Sequence, residues 1–64
     1  MKKFIELTNT INIKVQVNID FIIKFYETEK NSGLKFTMVQ TMSNYGNEIE
    51  VKETVKEILN LINN

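Results

Sequence analysis

The side chains available for chemistry in this 64-residue chain are those of Asp, Glu, Lys, Ser, Thr and Tyr, because the sequence contains no His, Cys, Arg, Trp or Pro. The residue that titrates near pH 7 in its unperturbed state is absent, and so is the thiolate nucleophile. Without Cys or His, neither a disulfide nor a zinc site can brace the fold. The composition favours binding over catalysis, and we expect no catalytic residues and no cofactor.

Three glutamates near the C-terminus could bind a hard cation, since Ca²⁺ and Mg²⁺ take carboxylate ligands. Glu48 and Glu50 occupy the outward phase of a predicted strand, and Glu53 precedes a predicted helix, where negative charge is favoured. This spacing favours a solvated acidic face, and no metal site is predicted.

A second polar group surrounds Asp20, the only Asp in the chain. Asn18, Asp20 and Lys24 could recognise an amide, a hydroxyl or a phosphate. Alternatively, Asn18 and Asp20 mark an Asx-type turn in which Asp20 bonds the backbone. Tyr26 and Tyr45 are further candidate binding residues, and Tyr45, in a predicted loop, could stack on a ligand or fold back over its own hairpin.

The elements that position these residues begin with the clearest pattern in the chain. Apolar and polar types alternate from Ile11 to Asp20, which predicts a strand with one wet face. A shorter strand over 3–8, followed by turn residues at 8–10, predicts an antiparallel hairpin. After a change of direction at Asn18 and Asp20, a third strand is predicted from about Phe21 to Thr28.

The second half of the chain predicts two more strands. A hairpin loop over 29–33 contains Gly33, which can take the positive φ that such loops require. The fourth strand follows, and its alternation becomes ambiguous between Met38 and Met42, which could mark a bulge. After a second loop over 43–47, a short strand over 48–52 places its apolar residues inward.

At Thr54 the period changes from that of a strand to that of a helix. Thr54 and Glu57 fit a capping box, in which the hydroxyl and the carboxylate each bond a backbone N–H at the helix start. One apolar stripe follows at i, i+3, i+4 and i+7, formed by Val55, Ile58, Leu59 and Ile62. The predicted fold is one α+β domain over residues 1–64, with a five-stranded antiparallel sheet or small open barrel and a C-terminal helix packed on it.

The third strand carries apolar groups on both faces, and a small sheet with one helix can cover only one of them. If the helix packs on Ile23 and Phe25, other apolar residues need another cover. Either the sheet curls into a closed barrel, or these residues form a contact surface between copies of the chain. The predicted interface residues are Ile22, Tyr26, Val39 and Met42.

The charge balance and the hydropathy limit the partners. Eight Lys balance eight acidic residues, so the long-range field that draws proteins to nucleic acid is lacking. The apolar runs are too short to span a bilayer, and Glu6 interrupts any export signal. We therefore expect a cytoplasmic protein that binds neither nucleic acid nor membrane. The abundance of Asn, Ile and Lys suits an A/T-rich coding sequence, as in low-GC bacteria and their phages.

Two short segments resemble a known family. The segment 17–22 resembles the strand-end turn of the FlbD-like small proteins of bacterial flagellar operons and of related small proteins in bacteria and phages. The segment 50–58 resembles the last strand of that family where it runs into the helix. The order of the predicted elements also resembles that of the family, so the resemblance covers most of the chain. It implies no established catalytic residues.

Two functional hypotheses follow. The first is a non-catalytic interaction module that forms a homo-oligomer and binds a partner such as a host protein, using a sheet face or an unpaired edge strand. The second is a phage-encoded inhibitor of host defence that sequesters a small signalling nucleotide in pockets between subunits. Lys, Asn and Tyr side chains would hold that nucleotide.

Overall fold

The computed structural model describes residues 3–42 and 48–64. Within these ranges, five strands, a short 3₁₀ turn and one helix follow one another. They are β1 (Phe4–Thr8), β2 (Lys14–Asn18), the 3₁₀ turn (Ile19–Phe21), β3 (Ile22–Glu29), β4 (Lys35–Thr41), β5 (Glu48–Val51) and α1 (Val55–Asn63). The predicted α+β class, with antiparallel strands and a C-terminal helix, is confirmed.

The strands form two antiparallel sheets instead of the single five-stranded sheet that the sequence predicted. β1 pairs with β2, and β3, β4 and β5 form a three-stranded sheet in that order. Between β1 and β5 there is one isolated bridge, Asn9 to Val51, and the N–H of Lys52 donates to the carbonyl of Thr8 at 2.8 Å. With so few backbone bonds between them, the two sheets depend on side-chain packing for their relative position.

The turn between β1 and β2 is longer than the alternation predicted. The side-chain oxygen of Asn9 accepts the backbone N–H groups of Ile11 at 3.0 Å and Ile13 at 2.9 Å, and Asn12 has φ 68°. Asn tolerates this left-handed conformation better than most residues. Ile11 and Ile13 therefore lie in the turn, 71% and 52% exposed, and the strand begins only at Lys14.

A bulge near the start of β3 sets which side chains face the core. Ile22 pairs with Thr41 and Lys24 pairs with Gln40, which are adjacent in β4. Ile23 therefore has no partner in β4 and is the extra residue of the bulge. The prediction that Ile23 shares the covered face with Phe25 is therefore wrong, and so is the bulge predicted in the fourth strand. Ile22 and Phe25 pack against the core, whereas Ile23 is 57% exposed.

The hairpin between β3 and β4 closes as the sequence predicted. The N–H of Gly33 donates to the carbonyl of Lys30 at 2.8 Å, and the N–H of Lys30 donates to the carbonyl of Leu34 at 2.9 Å. Gly33 has φ 86°, which a residue without a Cβ adopts at no steric cost.

The core draws on both sheets and the helix. The buried cluster contains Ile5, Leu7, Val17, Val39, Val51 and Ile58. β1 supplies two of these side chains, while β2, β4, β5 and α1 supply one each. Because α1 and every strand except β3 place a buried side chain in this one cluster, the sheets and the helix stabilise one another.

The helix begins with the predicted capping box. The Thr54 hydroxyl accepts the N–H of Glu57 at 3.1 Å, and the Glu57 carboxylate accepts the N–H of Thr54 at 2.8 Å. Ile58 is fully buried, but Leu61 packs on the core in place of Leu59, which is 45% exposed. No helix in the described ranges is long and apolar enough to cross a membrane.

Adjacent residues of α1 provide a test of this docking. Ile58→Ala should lower the free energy of unfolding by about 2–5 kcal/mol because it leaves a cavity under the helix, and Ile58→Val should lower it by about 0.5–1.5 kcal/mol. Leu59→Ala, the matched control, should cost below about 1 kcal/mol. Urea unfolding followed by circular dichroism measures all three. Equal losses at the two positions would mean that the helix docks on a different face.

Candidate functional site

The predicted polar turn at the end of β2 forms, but the side chain that bonds the backbone is that of Asn18. The side-chain oxygen of Asn18 accepts the backbone N–H of Asp20 at 2.9 Å, so Asn18, and not Asp20, supplies the Asx acceptor. The N–H of Ile19 donates to the carbonyl of Lys3 at 2.8 Å, which ties the turn to β1. The chain then passes into β3 with Phe21 51% exposed.

A groove of about 260 Å³ opens beside this turn, between the edge of β2 and the ends of β4 and β5. Its lining combines apolar and polar side chains: Gln16, Val17, Asn18, Phe21, Thr41, Met42 and Ile49. The groove brings the predicted binding residue Asn18 together with the predicted interface residue Met42. Asp20, Lys24 and Tyr26 do not line it, so the predicted binding residues do not form one site.

Lys24 and Tyr26 lie instead on the face of the three-stranded sheet that points away from the core, here called the outer face. The ammonium of Lys24 lies 5.8 Å from the centroid of the Tyr26 ring, within cation–π range. Further along this face, the ammonium of Lys30 lies 5.2 Å from the Phe36 ring and 3.2 Å from the Glu50 carboxylate. The paired residues of the outer face are Lys24 with Gln40, Tyr26 with Met38 and Thr28 with Phe36.

The three glutamates considered as cation ligands, Glu48, Glu50 and Glu53, do not share a common contact in the structure. Glu50 pairs with Lys30, and the Glu53 carboxylate accepts the backbone N–H of Thr8 at 2.8 Å, while Glu48 is exposed. Within residues 3–42 and 48–64, no group of three or more acidic side chains could hold a metal ion. A larger groove of about 380 Å³ includes Glu53 and the capping Glu57 among its lining residues. Both of these carboxylates already bond backbone N–H groups, Glu53 at the end of β1 and Glu57 at the start of α1.

The predicted interface residues divide between the core and the surface. Val39 is wholly buried, because β4 is the central strand of its sheet and this position faces the helix side; its assignment to an interface is wrong. Ile22 is half-buried against the core, because the bulge turns it inward, so it needs no other cover. Tyr26 and Met42 are 41% and 58% exposed. Tyr45 lies outside the described residues.

Sequence reasoning missed the apolar surface that the bulge creates. Phe21, Ile23 and Met42 are all more than half exposed, and the N–H of Met42 donates to the carbonyl of Phe21 at 2.8 Å. We call these three residues the apolar rim. The continuous apolar run over 21–23 signalled that some side chain would remain uncovered, but alternation alone could not identify which one.

Next to the apolar rim, β3 presents an unpaired backbone edge. β3 is an edge strand, and at eight residues it is the longest strand described. The bond from Lys30 to Leu34 fixes the alternation of the antiparallel ladder, so Lys24, Tyr26 and Thr28 bond β4. The N–H and C=O groups of Phe25, Glu27 and Glu29 point away from β4. Among the described residues, no strand pairs with this side of β3.

Comparisons of this chain with protein-family models, with curated proteins and with solved structures return no match. The resemblance to the FlbD-like proteins accordingly stays a prediction.

The Asx hydrogen bond at the start of the 3₁₀ turn can be tested by a set of substitutions. Asn18→Ala should lower the free energy of unfolding by about 1 kcal/mol, because the N–H of Asp20 loses its acceptor. Asn18→Asp retains an acceptor oxygen and should restore most of this loss. Asp20→Ala should change the stability by about 0.5 kcal/mol or less. A larger loss from Asp20→Ala than from Asn18→Ala in urea unfolding would return the acceptor role to Asp20.

Proposed function

We propose that this protein is a non-catalytic interaction module that associates with a second copy of itself through the apolar rim and the neighbouring edge of β3. The observation that carries the proposal is the exposure of Phe21, Ile23 and Met42, each more than half exposed, at the start of a strand with one unpaired edge, where the backbones of Phe21 and Met42 are hydrogen-bonded. Exposed apolar surface next to free backbone groups is the combination that edge-to-edge association uses.

Folding alone leaves much of the chain's apolar surface in water, which supports self-association. Among the described residues, the seven buried apolar side chains are outnumbered by nine exposed large hydrophobic ones. A domain of about 60 residues buries only roughly 60% of the surface of its unfolded chain, and this chain has no Cys for a disulfide. Burying the apolar rim against a second copy would add to the free energy that the small core supplies.

The charge of the chain is compatible with a homo-oligomer. The formal net charge is zero, so two copies approach without long-range repulsion. Interface centres are depleted in charged residues, and the three members of the apolar rim carry none. A partner other than a second copy would have to match the same uncharged surface.

Self-association should respond to a charge in the apolar rim and not to the same charge elsewhere. Ile23→Asp should raise the dimer dissociation constant about tenfold or more, because it introduces a charge at the apolar end of the paired edge. Ile11→Asp, which changes an equally exposed isoleucine in the β1–β2 turn, is the matched control and should leave the constant unchanged. Sedimentation velocity over a range of concentrations gives both values. A folded monomer at every concentration would refute the proposal.

A second candidate function is the sequestration of a small nucleotide, favoured by the groove beside Asn18. An apolar floor with a few amide and hydroxyl groups at its edge is typical of small-ligand sites, although about 260 Å³ is slightly below their usual volume. Completion of the groove by a second copy would enlarge it.

A thermal-shift screen against nucleotides tests this second function. A nucleotide present at 100 times its dissociation constant should add about 2.7 kcal/mol to the apparent stability. Asn18→Asp, which keeps the turn acceptor but replaces the amide donor, should reduce the shift, whereas Ile11→Asp should not. The absence of a shift with every nucleotide would exclude sequestration and leave the interaction module unaffected.

A further inference from the structure

We infer that two copies pair in antiparallel fashion along β3, with Tyr26 opposite Tyr26 of the second copy on a two-fold axis. This inference rests on the proposed self-association and specifies its geometry. It is argued from the unpaired backbone of β3, its charged residues and its bulge.

The ladder of β3 restricts the registers that a second copy can adopt. Because Phe25, Glu27 and Glu29 carry the backbone groups that point outward, these residues must face one another across a new antiparallel ladder. Within the regularly paired stretch from Lys24 to Glu29, a symmetric pair of at least three residues can therefore place Phe25, Tyr26, Glu27 or Thr28 on the two-fold axis, each choice shifting the second strand by two residues.

Charge excludes two of these four registers. An axis at Glu27 places the two Glu27 side chains opposite each other and Lys24 opposite Lys30. An axis at Thr28 places Glu27 opposite Glu29 twice. Like charges directly opposite each other across an antiparallel pair are destabilising. The charged residues of β3 thus exclude the registers with the axis at Glu27 or Thr28, and the registers with the axis at Phe25 or Tyr26 remain.

The bulge decides between the two registers that remain. Regular pairing in β3 extends only from Lys24 to Glu29, because Ile23 is the bulged residue. An axis at Tyr26 uses the whole stretch from Lys24 to Thr28, which gives five regular pairs. An axis at Phe25 uses only the stretch from Lys24 to Tyr26, which gives three.

Side-chain chemistry on the outer face favours the same register. An axis at Tyr26 brings the two rings together at a position where aromatic pairs stabilise a sheet. Each Lys24 then lies diagonal to the Tyr26 ring of the other copy, within reach of the cation–π contact that it already makes with its own Tyr26. Lys24 faces Thr28 of the second copy, so no charge opposes another of the same sign.

The chain contains no cysteine, so single-cysteine variants report this register directly. At the axis, the Tyr26 backbone forms a pair without mutual hydrogen bonds, with Cα atoms about 4.5 Å apart, inside the range of about 4.4–6.8 Å for disulfides. Tyr26→Cys should therefore form a covalent dimer in a glutathione buffer. In Thr28→Cys, the matched control, the two cysteines are about 13 Å apart along the strands, so the variant should stay monomeric on non-reducing gels.

A mixture of Lys24→Cys and Thr28→Cys keeps Tyr26 in place and should form a mixed disulfide, because these residues face each other in the proposed register. The pairing would be supported if Tyr26→Cys formed several-fold more covalent dimer than Thr28→Cys, and if this difference disappeared when the oxidation was carried out in urea. A mixed disulfide between Lys24→Cys and Tyr26→Cys, with none between Lys24→Cys and Thr28→Cys, would move the axis to Phe25 and overturn the proposed register.

A protein that sediments as a dimer but shows no selective disulfide would overturn this register and leave self-association standing, whereas a monomer would refute both.

Discussion

The packing of one small cluster of side chains is the constraint on which the rest of this structure depends. The two sheets share one isolated bridge and a neighbouring backbone hydrogen bond, so hydrogen bonding does not fix how they face each other. Ile58 of α1 packs with Leu7 of β1 and Val51 of β5 in the same buried cluster. The helix therefore contributes to the cluster that both sheets share, and the capping box at Thr54 sets where that helix begins.

Much of the fold could be predicted from local patterns because those patterns coincide with buried positions. Ile49 and Val51 face inward and Glu48 and Glu50 face outward, as alternation predicts for a strand with one covered side. The capping box and Gly33 could also be predicted, since each depends on a few neighbouring residues. The division into two sheets could not, because it depends on how distant strands meet.

The candidate site was harder to predict, since it depends on contacts that lie far apart in sequence. From Phe21 to Ile23 every residue is apolar, so no period shows which side chains face the core; the pairing with Thr41 and Gln40 decides it. At the helix, Leu59 and Leu61 fit an apolar stripe almost equally well, and the position of the sheets selects Leu61. In β4, alternation separates Phe36 and Met38 from Thr37 and Val39 but does not show which set faces the core, and the structure buries Val39 there.

The bulge at Ile23 connects the fold to the proposed self-association. One additional residue in β3 turns Ile22 inward to the core and leaves Ile23 exposed to solvent, as Phe21 and Met42 also are. Bulges also increase the local twist of a strand, which limits how far a second strand can follow it. The same residue that creates the exposed apolar surface therefore limits the length of edge that a second copy can pair with. Edge strands that carry charges and a bulge are usually protected from indefinite stacking. In the proposed two-fold pair, the free edge of β3 would be used in both copies, so no β3 edge would remain for a third copy.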